Sequence, residues 1–143
     1  MTTTAERTRA TTRPAFRLTF ALVESFVLVG AVVGVLQLWT GSFAPPVSDL
    51  QPLGLHDWKL PAAWLFFSVA IPSSMAVSAA LVRLPRTPEI VLVASALLLV
   101  EVTVQIPFVG PSVLQAVMGS IAILLGTLAW LARRGGTWRA QLD

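Results

Sequence analysis

The stretch Leu18–Trp39, LTFALVESFVLVGAVVGVLQLW, decides the fold. It stays apolar over the roughly 20 residues that a helix needs to cross a hydrocarbon core, and Glu24 is its single ionisable side chain. It is also far longer than the roughly 7–15 residues of a signal-peptide core, so it reads as a retained membrane anchor. Three more runs of similar length follow: Ala62–Val82, Glu89–Phe108 and Ser112–Ala132. Pro61 precedes the second run, Pro85 and Pro88 mark the turn before the third, Pro107 to Pro111 separate third from fourth, and Gly135-Gly136 follows the last. These are ordinary helix stop and start signals.

The whole chain agrees with that reading. Of its 143 residues 55% are hydrophobic and only 12% charged, a balance that soluble domains do not show. The sequence predicts an all-α integral membrane four-helix bundle. Residues 1–17 are expected as a disordered cytoplasmic N-terminus, because Thr, Arg and Ala offer nothing apolar to pack. Residues 18–132 form the transmembrane domain, with helices at about 18–39, 62–82, 89–108 and 112–132, and 133–143 form a cytoplasmic tail.

Arginine sets the expected orientation. Arg7, Arg9, Arg13 and Arg17 precede the first helix, Arg83 and Arg86 lie between the second and third, and Arg133, Arg134 and Arg139 follow the fourth. The other side has Lys59 against Asp49 and Asp57. The positive-inside rule then places both termini in the cytoplasm and the protein, multi-pass, in the cell membrane. Trp39, Trp58 and Trp64 fall near the outer boundary and Trp130 near the inner one, where indoles prefer to sit. The lipid bilayer is the expected partner, together with other membrane proteins or a second copy. The basic residues flank apolar runs and form no patch interleaved with aromatics, so nucleic acid is not an expected partner.

The chain has no cysteine, which excludes disulfides, thiolate metal sites, iron–sulfur clusters and cysteine nucleophiles. His56 stands alone in the loop beside Asp57, with no second histidine to complete a transition-metal set, and reads as a solvated loop residue. No nucleotide-binding loop or hydrolase motif is present. No metal and no cofactor are expected.

Function is sought where polarity enters the membrane. Glu101 carries a carboxylate to a depth where one costs roughly 2.5–3.5 kcal/mol, so it should face protein or a cavity. From the direction of each helix and a rise of about 1.5 Å per residue, Gln105, Gln37 and Gln115 should share the outer slab with Glu101. That cluster reads either as hydrogen bonds between helices or as a ligand or proton site. Glu24 lies nearer the cytoplasmic side, where it can snorkel or pair with Arg17 on the same helix face. Gly30 and Gly34 form a GxxxG that permits close helix packing, within the chain or between copies, and Gly119, Ala122 and Gly126 supply small residues in the fourth helix. Pro72 with Ser73 and Ser74 predicts a kink in the second helix, the serines covering the freed carbonyl. The loop from Thr40 to Leu60 is long for a bundle and is expected to fold over the outer end.

With cytoplasmic termini, a longer outer loop after the first helix and a glutamate in a later helix, the chain from about Arg17 to Arg134 resembles the small four-helix bacterial membrane proteins of the DoxX-like group. The resemblance implies topology alone and transfers no functional residue. The expected function is that of a non-enzymatic subunit or accessory factor of a membrane assembly. The alternatives are a lipid or hydrophobic-ligand binding protein or membrane-embedded isomerase or cyclase using Glu101, and an oligomeric small transporter.

Overall fold

The computed structural model describes the backbone of residues 4–135 and side chains from Phe16 onward. Gly136, Arg139 and most of the tail expected at 133–143 therefore lie outside the described residues. The chain is helical, with no strand among those residues. Helix α1 spans Thr4–Thr40, α2 Lys59–Leu65, α3 Ile71–Leu81, α4 Thr87–Val109 and α5 Val113–Arg134. A π-helical turn, Phe66–Ala70, joins α2 to α3 into one continuous span, Lys59–Leu81. With the Phe16–Thr40 part of α1, α4 and α5, this makes four helices long and apolar enough to cross a membrane.

Helix α1 begins upstream of the apolar run, at Thr4.

The second span departs from α geometry where Pro72 has no amide to donate. A proline ring clashes with the carbonyl four residues before it, here that of Ser68. The backbone widens instead, and the Ile71 N–H reaches the Phe66 carbonyl five residues back. The kink signal is thus realised as a π-turn. The serines do not cover the freed carbonyl as expected: the Ser74 hydroxyl donates to the Ile71 carbonyl at 2.7 Å, and that of Ser73 is engaged by Glu24.

Between α3 and α4 the chain turns tightly. Arg83 adopts φ 60°, and the Leu84 N–H closes onto the Ala79 carbonyl at 3.0 Å. The fully buried Thr87 hydroxyl lies 2.9 Å from that same carbonyl and 2.7 Å from the carbonyl of Leu84, so the end of α3 is satisfied internally.

Two buried clusters hold the bundle. One, at the end carrying Arg83 and Arg133, gathers Phe20, Ala76, Ala80, Val91, Leu125 and Ala129. The other gathers Val27, Ala31, Val69, Leu98 and Ala122. Alanine dominates the first and is as frequent as valine in the second, which lets helix backbones approach where lipid gives no hydrophobic drive for association. At Gly126 an added Cβ would lie 3.2 Å from Ser95 Oγ, and at Gly119 3.8 Å from Val102, so the small residues of α5 face α4. The bulky apolar side chains Leu22, Phe26, Val29, Val33 and Leu36 of α1 point outward, as a lipid-facing stripe does.

The loop between α1 and α2 is structured. A 3₁₀ helix, Val47–Leu53, buries Leu50 and touches α4, and Gly54 at φ 66° closes it. The indole N–H of Trp58 donates to the Pro45 carbonyl at 2.8 Å. Trp58 is buried, unlike the exposed Trp39 and Trp64, so it is the core of the loop and not the interfacial anchor expected of it.

A cleft around Glu101 at the loop end of the bundle

Glu101 is carried by the middle of α4 and turned inward, with 6% of its surface exposed. Both carboxyl oxygens are held. Ser68, in the π-turn, donates its hydroxyl to Oε2 at 3.1 Å, and Gln105, one turn further along α4, donates Nε2 to Oε1 at 2.9 Å. The first bond joins two spans and the second fixes the rotamer. A buried carboxyl satisfied at both oxygens is the arrangement that an apolar interior requires.

Beside this group lies a cleft of about 210 Å³. Its wall is apolar, with Val27, Leu65, Val69, Leu98 and Met118 prominent, and Glu101, Gln105, Ser112 and Gln115 supply its polar edge. An apolar cavity of about 150 Å³ already takes up benzene, so this space suits a ring or a segment of alkyl chain. A mostly apolar pocket with a few convergent polar groups is the usual form of a small-molecule site.

Three of the four polar residues expected to cluster are brought together. Gln115 reaches the cleft while capping α5: its Oε1 accepts from the Ser112 N–H at 3.0 Å, and its own N–H donates to Ser112 Oγ at 3.2 Å. This capping box starts the helix at Val113, directly after the turn that ends at Pro111 and Ser112. Gln37 does not join the cluster. It lies about one turn past Gly34 toward the loop, is exposed and is absent from the cleft lining.

Gly30 and Gly34 are also in the cleft wall. A Cβ at Gly30 would meet Met118 Cε at 3.6 Å, and one at Gly34 would meet Leu65 Cδ2 at 3.1 Å. The neighbours of the GxxxG are thus side-chain ends from within the chain. The absence of side chains there opens the cleft.

Glu24 lies apart, toward the other end of the bundle. It does not snorkel toward Arg17 but is 1% exposed, on the buried stripe of α1 that contains Phe20, Val27 and Ala31. The Ser73 hydroxyl donates to its carboxyl, while Oε1 is buried with no partner. His56 is exposed in the loop, and among the described residues no group of His, Cys, Asp and Glu could hold a metal ion.

Sequence reasoning missed Ser68. The signal was present, since a serine four residues before a proline sits where the helix ladder opens, but serine is common in membrane helices. No protein-family model matches this chain, and neither a curated protein nor a solved structure matches it.

Proposed function

We propose that the protein is a non-enzymatic, multi-pass protein of the cell membrane that binds an apolar molecule in the cleft, with the polar end of that molecule at Glu101 and Gln105. The observation that carries this reading is the convergence of Glu101, Gln105 and Gln115 on one apolar cleft. The arginines at the α3–α4 turn and in the last turn of α5 support an orientation with both termini in the cytoplasm, which puts the cleft in the outer half of the bilayer. Lipid is then the source of the ligand, and the cleft suits an accessory factor that holds or presents it.

Binding is favoured over isomerase or cyclase chemistry for a physical reason. Proton transfer on an apolar substrate needs both an acid and a base in reach. Among the described residues, Glu101 is the one titratable side chain that lines the cleft.

The test is photolabelling of the reconstituted protein with a diazirine-bearing long-chain alcohol, followed by peptide mapping. Label should concentrate on α1 near Val27–Gly34 and on α4 near Leu98–Gln105, and should be lost in Gly30→Phe, which fills the cleft. Equal labelling of all lipid-facing helix surfaces, unchanged in Gly30→Phe, would overturn the reading.

A further inference from the structure

We infer that the preferred occupant of the cleft is an organic cation, a single apolar chain or ring bearing an ammonium group, placed so that the ammonium meets Glu101; this rests on the binding reading above. Charge complementarity carries the inference. The polar edge consists of one carboxyl, two amides and a hydroxyl, and among the described residues no Lys, Arg or His lines the cleft. A headgroup phosphate or carboxylate would bring its acceptor oxygens against those of Glu101 with no cation between them, and like charges juxtaposed in a dry site cost several kcal/mol.

An ammonium has the opposite fit. It carries donors only, and it keeps its charge at pH 7 because its pKa is near that of lysine, ~10.4. Glu101 already accepts from Ser68 and Gln105, so both oxygens are oriented as acceptors. Each carboxylate oxygen can accept more than one bond, so a ligand N–H can share them without displacing either donor. The Gln115 carbonyl is taken by the Ser112 N–H. Glu101 is therefore the residue that discriminates. Among the described residues the cleft lining supplies no counter-charge, and along α4 and α5 there is no basic residue between Glu89 and Arg133. A carboxylate kept at membrane depth is costly, and a cationic ligand offsets that cost where a neutral one does not.

The experiment uses three diazirine probes of identical alkyl chain, ending in a primary ammonium, a hydroxyl or a carboxylate, on the full chain in lipid nanodiscs. Labelling of cleft peptides is normalised to labelling of the lipid-facing surface of α1, which cancels differences in partition. The ammonium probe should label the cleft about tenfold more than the carboxylate probe, a difference of about 1.4 kcal/mol, with the alcohol between them. Glu101→Gln should bring the three probes level. Gln105→Lys, which adds a cation beside the carboxyl and does not require Glu101 to be removed, should turn the preference toward the carboxylate probe.

Equal cleft labelling by ammonium and alcohol, or a preference for the carboxylate, would overturn the cationic assignment while leaving the cleft a binding site. Absence of cleft-specific labelling with every probe would instead remove the binding reading itself. Unchanged head-group preference in Gln105→Lys would overturn the assignment of discrimination to this polar edge.

Discussion

Ser68 and Glu101 are joined by a 3.1 Å hydrogen bond between two different spans, and that bond exists because the helix around Ser68 is a π-turn. Pro72 opens the helical ladder, the extra residue in the turn changes which way Ser68 faces, and Ser68 meets α4. The same span offers Ser73 to Glu24 of α1. One span thus offers a hydroxyl to each of two buried carboxyls on two neighbouring helices, fully satisfying Glu101 but leaving Glu24 Oε1 without a partner.

A double-mutant cycle tests the first of these links. Ser68→Ala leaves Glu101 Oε2 without its donor in a buried setting and should lower stability by about 1–2 kcal/mol. Hydrogen bonds between membrane helices average about 0.6 kcal/mol and reach about 1.7, so a coupling within that range is expected between Ser68→Ala and Glu101→Gln. Unfolding by SDS in mixed micelles gives each corner of the cycle. Strict additivity would mean that the two side chains do not interact in the membrane.

Much of this arrangement was legible in the sequence, and the parts that were not share a cause. Hydropathy located four spans to within a few residues because a membrane-length apolar run has few other uses. Proline marked the irregularity at 72, although the kind of irregularity depends on backbone pairing that composition does not encode. Glu101, Gln105 and Gln115 were placed at one level by counting rise per residue. Gln37 was placed there too, yet depth says nothing about whether a neighbouring helix covers a residue. The burial of Glu24 follows from its stripe, since Phe20, Val27 and Ala31 repeat at helical spacing around it, and a snorkelling carboxyl would have needed a face of its own. Indoles favour interfaces, so the sequence alone makes Trp58 an anchor, but its indole N–H bonds a carbonyl within the loop.

Glu24 and Ser73 should respond differently from Glu101. Ser73→Ala removes the donor to a carboxyl whose Oε1 already lacks one, and should cost about 1–2 kcal/mol. Replacing both partners by apolar groups removes the buried polarity altogether, a change that is nearly neutral or stabilising in general. The double variant Glu24→Leu with Ser73→Ala should therefore be at least as stable as the parent in SDS unfolding. If the double variant is instead the least stable of the set, Glu24 makes a contact that Ser73 does not account for.

The loop should depend on Trp58. Trp58→Phe keeps most of the buried ring but deletes the 2.8 Å bond to the Pro45 carbonyl. Removal of a buried donor of this kind costs about 1 kcal/mol, which is large for a segment held by Leu50 and one indole. Limited proteolysis of reconstituted protein should cut between Gly41 and Asp57 several times faster in the variant, with cleavage elsewhere unchanged. Equal cleavage rates would show that the loop is held by the burial of Leu50 alone.

Glycine-to-alanine changes at three helical positions should differ in sign, because their neighbours differ. Alanine is favoured over glycine inside a helix by about 0.8–1.0 kcal/mol, so an unobstructed replacement stabilises. At Gly30 the new Cβ would lie 3.6 Å from the flexible end of Met118, an ordinary contact, and the gain should appear nearly in full. At Gly34 the Cβ meets Leu65 Cδ2 at 3.1 Å, so Leu65 must give way by a few tenths of an ångström and part of the gain is lost. At Gly126 the obstacle is Ser95 Oγ at 3.2 Å, and that hydroxyl is fixed by its 2.9 Å bond to the Leu92 carbonyl. Moving it disturbs the close approach of α4 and α5, so Gly126→Ala should be destabilising by about 1 kcal/mol despite its better helix propensity. SDS unfolding should rank the variants Gly30→Ala, Gly34→Ala, Gly126→Ala from most to least stable. A stabilising Gly126→Ala would show that α4 and α5 pack less closely than the Ser95 contact requires.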